Sequence, residues 1–325
     1  MHAEQLVVGI DAGGTSTRAW LMDGEGSLLK TGNAAGSNPV GVGFRVAVQN
    51  IAAALESACA GIDTTRLRAV CAGIAGVKSL SAPDYEELGR LIRARLNLTC
   101  NVEMVGDSTI AFAAATDETD GAVLIAGTGA SAFAIHDREP GQRSDGYGWL
   151  LGDLGSGFWL GQQAVRATLR YLDGHVPNGS MVEQVIDTFM GETVQASPSA
   201  AHLIGQCMAQ SPRSLARLAP IVCEAAADDD ETAQEIINEA VNHLAATVKA
   251  VAQPGKPVAL AGSLLTNNTP IASGLTCHLS RELPASPLYQ AVHPVAGAAW
   301  LALKHIEPDA HRQRKLHRVV GLAQP

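Results

Sequence analysis

Leu6-Val7-Val8-Gly9-Ile10-Asp11-Ala12-Gly13-Gly14-Thr15-Ser16-Thr17-Arg18-Ala19-Trp20-Leu21-Met22 is the stretch on which the fold turns. Leu6 to Ile10 is a short β-rich run, and Thr17 to Met22 reads as its hairpin partner, so Gly13 and Gly14 fall at the tip. Without a Cβ, glycines there can reach positive φ, leave backbone N–H groups open and let an anion approach. Thr15, Ser16 and Thr17 add hydroxyl donors. Asp11, at the strand end, is a candidate to hold a magnesium ion through water, because a hard cation seeks carboxylate oxygen and keeps several waters. An ordinary hairpin with turn glycines accounts for the same residues when the stretch is taken alone.

A second stretch repeats the pattern. Ala122-Val123-Leu124-Ile125-Ala126 precedes Gly127-Thr128-Gly129-Ala130-Ser131, and Ala132-Phe133-Ala134-Ile135 follows. Two glycine-hydroxyl turns in the same strand context point to a phosphate clamp. Outward from them, Ser27 to Lys30 reads as a third strand. Phe44 to Ala60 has helical spacing through Val48, Ile51, Leu55 and Cys59. Leu67 to Ala72 then reads as a buried strand, Tyr85 to Leu96 as a helix and Asn101 to Val105 as a strand ending at Gly106-Asp107. From Phe158 to Ala252 the pattern is mostly helical, Val258 to Ala261 resumes a sheet, and Val295 to Lys304 is a last helix. Strand hairpins followed by alternating helices and strands predict an α/β fold with mixed strand directions.

Asp107 is the leading candidate for a general base: it follows a strand and opens a helix, at the carboxyl end where open α/β sheets bind ligands. A helix N-cap is the bland account of the same aspartate. Asn38 lies in the loop Gly36-Ser37-Asn38-Pro39, where it is equally a turn residue. Asp153 lies in Gly152-Asp153-Leu154-Gly155-Ser156-Gly157, where it is equally a carboxylate capping the helix that begins at Ser156. Ala261-Gly262-Ser263 is a strand-to-helix turn or a close approach to a ligand ring.

These stretches together resemble the sugar kinase, Hsp70 and actin superfamily. Within it they are most similar to the N-acetylglucosamine kinases of the BadF/BadG/BcrA/BcrD-type ATPase group. The resemblance rests on Asp11 to Thr17, Ser37-Asn38, Gly106-Asp107-Ser108, Gly127 to Ser131, Gly146-Tyr147-Gly148 through Gly157, and Ala261-Gly262-Ser263. It implies two ribonuclease-H-like (actin-like ATPase) domains with mixed sheets and a cleft between them. Residues 1–118 plus about 295–307 would form the first and 119–294 with a helical insertion the second; the basic residues of 308–325, His311, Arg312, Arg314, Lys315, His317 and Arg318, read by themselves as a solvated tail.

The activity implied is phosphorylation of the 6-hydroxyl of an amino sugar by ATP with Mg2+. Asp107 would take the hydroxyl proton. Gly13, Gly14, Thr15, Thr17, Gly127, Thr128, Gly129, Gly262 and Ser263 would hold the nucleotide and its phosphates. Asn38, Asp107, Thr128, Ser131, Gly146, Tyr147 and Asp153 would hold the sugar, and Asp11 the Mg2+ through water. A homodimer is also implied.

Two positions depart from the family pattern: Ser131 stands where it has asparagine, and Tyr147 where it has the tryptophan beside the acetyl group. A reshaped amide pocket leaves N-acetylglucosamine first and glucosamine as an alternative, with Asp145 or Asp153 as the partner of a free amine. A second alternative is an ATPase activator of a 2-hydroxyacyl-CoA dehydratase. Such an activator needs closely arranged thiolates, and the six cysteines are widely spaced. They read instead as buried small apolar residues in a reducing compartment.

A net charge of −9 over 325 residues argues against nucleic-acid and anionic-membrane partners. No apolar run reaches about 18 residues, so neither a transmembrane segment nor a signal peptide is expected and the cytoplasm is the expected location. The run Asp228-Asp229-Asp230-Glu231 reads as a helix start.

Overall fold

The computed structural model describes residues 4–95, 97–190 and 199–324. Leu96, the expected end of one helix, and residues 191–198 of the helical stretch lie outside the described residues. The chain divides into two compact units. Unit 1 takes Met1–Asp120, Ile135–Gly141 and Ala291–Pro325; unit 2 takes Gly121–Ala134 and Gln142–Gln290.

Unit 1 is built on strands β1 (Leu6–Ala12), β2 (Ser16–Asp23), β3 (Leu28–Ala35), β4 (Leu67–Ile74) and β5 (Asn101–Gly106), in the order β3-β2-β1-β4-β5. β1 pairs antiparallel with β2 and parallel with β4, and β4 pairs parallel with β5. The sheet is therefore mixed, with the open ends of β1, β4 and β5 on one side. β1 is central and both its faces are covered, which is why it reads as an unbroken apolar run. Leu6, Val8 and Ile10 join Ile51 and Leu55 of α2 (Phe44–Cys59) and Leu88 and Ile92 of α3 (Ala82–Arg95) in one core. Val7, on the other face, joins a second core with Ile110 of α4 (Asp107–Ala115) and Ala299 and Trp300 of α12 (Pro294–Lys304). A short helix, α1 (Pro39–Val42), precedes α2.

Unit 2 is built on β6 (Gly121–Ala126), β7 (Ala130–His136), β8 (Glu139–Asp145), β9 (Val258–Ala261) and β10 (Leu288–Ala291), in the order β10-β9-β6-β7-β8. Its helices are α5 (Gly157–Leu172), α6 (Ser180–Met190), α7 (Ala200–Met208), α8 (Ala219–Ala227), α9 (Glu231–Lys249), α10 (Ser263–Thr266) and α11 (Pro270–Glu282). Leu124 and Ala132 of the sheet share one core with Leu160, Val185, Val222 and Leu244 of the helices, so the long helical stretch supplies most of the unit's interior. Asp230 caps α9, accepting from Ala233 N–H at 2.9 Å, as a helix-start aspartate should.

Two strands lack a sequence signal, and both are edges of the second sheet. Glu139–Asp145 carries a proline, a glycine and mostly exposed polar residues, while Leu288–Ala291 is short and largely exposed. Edge strands need no two-sided apolar pattern, so their sequences do not announce them.

The expected solvated tail is corrected outright. Ala310–Gly321 forms a helix, α13, capped by Asp309, with Leu316 and Val320 buried beside Trp300. Trp300 Nε1–H donates to Gln313 O at 2.9 Å, and Arg312 pairs with Glu25 at 2.7 Å and Glu307 at 2.9 Å. Apolar residues four apart fix the helix while Arg314, Lys315 and Arg318 ride outside. The cysteines are free, with Cys59, Cys71 and Cys223 buried, Cys100 and Cys207 half-buried and Cys277 exposed.

Candidate active site

In unit 1 the β1–β2 hairpin places Gly13, Gly14 and Thr15 at its tip, and a neighbouring loop holds that tip in shape. Ser37 N–H donates to Gly13 O at 2.8 Å, and a Cβ on Gly36 would lie 2.2 Å from Gly14 O. Gly13 N–H is committed to Ser16 O at 3.0 Å, whereas among the described residues Gly14 and Thr15 N–H meet no backbone acceptor, and both residues are exposed. These two amides, with the Thr15 hydroxyl, are the free donors of the turn.

Two expectations change here. Neither Gly13 nor Gly14 has positive φ; a Cβ on Gly14 would meet nothing within 4 Å, so glycine there leaves room rather than enabling the backbone. Thr17 is fully buried, donates its hydroxyl to Ala35 O at 2.7 Å and touches the Ser37 hydroxyl, so it holds the hairpin to its neighbours and offers nothing to an anion. Gly36 and Ser37 do work the sequence reading had not assigned to them. Their signal was a glycine-serine pair beside Asn38.

Asp11 and Asp107 sit at the same end of the sheet. Asp11 aligns with Gly73 of β4, Gly73 with Val105 of β5, and Asp107 follows two residues later as the first residue of α4. The intervening glycine puts no side chain between them. Burial, then the nearby Asp107 charge, pushes Asp11 up to about 7, with Arg18 pulling the other way. Burial also raises Asp107, opposed by backbone N–H donors that include Ser108, at 2.9 Å from Oδ1. Asp107 is thus a half-buried carboxylate of heightened basicity, and the helix cap proper is Gly106. A hard dication suits the donor chemistry of this pair. Among the described residues no group of three or more His, Cys, Asp or Glu side chains could hold a metal ion, so such a cation would draw its remaining ligands from water and phosphate.

Asn38 caps α1: its Oδ1 accepts from Val40 N–H at 2.9 Å and lies against Gly76, which leaves the amide nitrogen as the group it can present.

In unit 2 the β6–β7 turn is held differently. Gly157 N–H donates to Gly127 O at 2.7 Å and Phe158 N–H to Thr128 O at 3.1 Å, tying the first turn of α5 to the carbonyls of the loop. On its other side stands Asp153. A Cβ on Gly129 would lie 2.8 Å from Asp153 Oδ2, and the Asp153 carboxyl accepts from the amides of Ala130 and Gly148. Burial raises Asp153, more than those donors lower it. Asp145 in turn accepts from Asp153 N–H at 2.8 Å and Leu154 N–H at 2.9 Å. The two aspartates lock the loop from Asp145 to Leu154, and Ser156, not Asp153, caps α5.

Gly146, with positive φ, packs against the Ser131 side chain, and Tyr147 is 56% exposed with Arg143 over its ring. A trough of about 400 Å³ opens from Gly127, Thr128 and Ser263 along α8. Gly262, at φ +91°, is required by the approach of its α-carbon to Ala126 O, where a Cβ would stand at 2.2 Å.

Among the described residues no helix is long and apolar enough to cross a membrane. The chain is 25% identical over 323 residues to an N-acetyl-D-glucosamine kinase of Dictyostelium discoideum, covering 93% of this chain and 98% of the relative. Its fold matches that of a candidate N-acetylglucosamine kinase from Chromobacterium violaceum, with a TM-score of 0.73, 24% identity and coverage of 92% and 99%. A second candidate of the same description, from Porphyromonas gingivalis, matches with a TM-score of 0.73, 21% identity and coverage of 94% and 100%. Residues 8–302 match the BadF/BadG/BcrA/BcrD ATPase family, and the chain, with its two actin-like mixed sheets, is a member of that family.

Proposed function

We propose that this protein transfers the γ-phosphoryl group of ATP to the 6-hydroxyl of an amino sugar, with N-acetylglucosamine as the first substrate. The observation that carries the reading is the Asp11–Asp107 pair at the open strand ends beside the free amides of Gly14 and Thr15. The similarity to an N-acetyl-D-glucosamine kinase over 93% of the chain supports the choice of acceptor.

Phosphoryl transfer asks the protein for positioning and charge stabilisation more than for covalent chemistry. Asp107, raised by burial, accepts the proton of the attacking hydroxyl, as a carboxylate moved toward neutrality should. Gly14, Thr15 and the second turn hold phosphate oxygens. Asp11 would hold Mg2+ through water, and that ion, when bound, supplies positive charge to the phosphates. Asn38 offers its amide nitrogen to a sugar oxygen. Asp153, spent on the amides of Ala130 and Gly148, positions the second turn while Ser131, Gly146 and Tyr147 shape the sugar side. Residues 1–118 with about 295–307 form the first ribonuclease-H-like domain and 119–294, with its helical insertion, the second, in a cytoplasmic homodimer, a state that sedimentation would check.

An ADP-release assay over N-acetylglucosamine, glucosamine, N-acetylmannosamine, glucose and no sugar tests this function. Release that depends on an amino sugar is expected; the same rate without sugar would discard it.

A further inference from the structure

The trough in unit 2 is unevenly lined. One end is the second glycine turn, Gly127 and Thr128, with Gly157 beside it. From there Ala216, Ala219, Pro220, Cys223, Glu224 and Ala227 follow along one wall, the three- and four-residue spacing of a single helix face. Ala216 is held at the turn: its Cβ lies 3.6 Å from where a Cβ of Gly157 would stand. Counting along the 3-10 turn that ends at Leu218 and then along α8, Glu224 lies about 13 Å beyond Ala216. The wall up to it is small and apolar, suited to the faces of rings. The lining also includes the neutral amides of Asn267 and Asn268.

Among the described residues lining the trough, Glu224 is the one charged side chain. Its carboxylate lies near enough to the buried Cys223 that, after burial, it helps push that thiol up to about 11. A carboxylate only accepts hydrogen bonds. If phosphates occupy the Gly127–Thr128 turn, a ribose one ring away falls short of Glu224, and the far edge of the base reaches it.

We infer that Glu224 selects the nucleotide by accepting a hydrogen bond from the 6-amino group of a purine, so that adenine is taken and a purine with a 6-carbonyl is refused. The inference rests on the trough being the nucleotide site of the proposed kinase. A carbonyl set against the carboxylate brings two acceptors together, and the base must shift for its neighbouring N1–H to reach Glu224; because Glu224 is exposed, solvent screens the bond to the 6-amino group and about tenfold in affinity is the expected discrimination.

Equilibrium binding of ATP, ITP, GTP and 2′-deoxy-ATP to the full chain and to Glu224→Gln and Glu224→Ala provides the test. Wild type should bind ATP about tenfold tighter than ITP or GTP. Glu224→Ala should erase that gap by weakening ATP, and Glu224→Gln should narrow it by tightening ITP, since the glutamine amide can donate to the carbonyl. Equal affinity for ATP and ITP in wild type, GTP binding as well as ATP, or a Glu224→Ala effect that follows the ribose 2′-hydroxyl would each overturn the inference while leaving the kinase reading intact. Failure of every nucleotide to bind wild type would remove both.

Discussion

The two glycine turns share a vocabulary and differ in what holds them. The turn at Gly13-Gly14 is braced by uncharged groups: the Gly36 backbone packs on it and Ser37 N–H donates to it. The turn at Gly127-Thr128-Gly129 is braced by a carboxylate on one side and the first amides of α5 on the other. The first stands open to solvent, the second at the mouth of a trough. A short glycine-threonine motif therefore specifies a shape without specifying its support, and the support decides how each turn responds to mutation and to pH.

The largest effect is expected beside the first turn. Asp107→Asn should lower kcat by about 10²–10⁴ while the melting temperature stays put, because the proton acceptor is lost and the fold is not; substantial turnover in the purified variant would remove the base assignment. Within the braces, Gly36→Ala drives a methyl group into the Gly14 carbonyl and should cost about 2 kcal/mol or more in denaturant unfolding. Gly14→Ala meets only open space and should cost less than about 1 kcal/mol while weakening ATP binding. Equal destabilisation by the two would break the picture of a rigid loop supporting an open tip.

At the second turn, Asp153→Ala strands the amides of Ala130 and Gly148 and should cost about 1–3 kcal/mol; Asp153→Asn, which keeps one acceptor, should cost less. The smallest effect is in pH. Burial raises Asp153 above 3.8 in the folded protein, so the folded state holds its proton more tightly than the unfolded chain does. Its ionisation then weakens the fold as pH rises from 3.8 through the raised value. Acidifying that window returns the loss. Asp153→Asn should flatten this part of the stability profile, and Gly36→Ala, which touches no titrating group, should leave its slope as in wild type.

Much of the molecule was legible before its coordinates. β1, β4 and β9 are buried strands and read as apolar runs, and α2 and α12 carry helical periodicity. The two turns and Asp107 could be placed because glycine and aspartate mark where an apolar run stops and the chain turns, and the same pattern occurs twice. What stayed hidden followed from contacts distant in sequence. Thr17 looks like an anion donor until Ser37 and Ala35 occupy it. Asp153 looks like a cap or a sugar ligand until the turn at Gly129 folds against it. β8 and β10 carry edge chemistry that resembles loop, and α13 hides two buried residues among basic ones.

The scattered make-up of unit 1 bears on how the chain leaves the ribosome. α4 covers part of one face of β1 early, yet α12 and α13, which complete that cover, come from Ala291–Pro325 and are synthesised only after all of unit 2. Val7, Trp20, Met22 and Cys71 must wait with only α4 to cover them while all of unit 2 is translated, a delay of about ten seconds or more at about 5–20 residues per second. Nascent chains stalled before Ala291 should accordingly engage chaperones through that half-covered face, and release should coincide with arrival of α12 and α13.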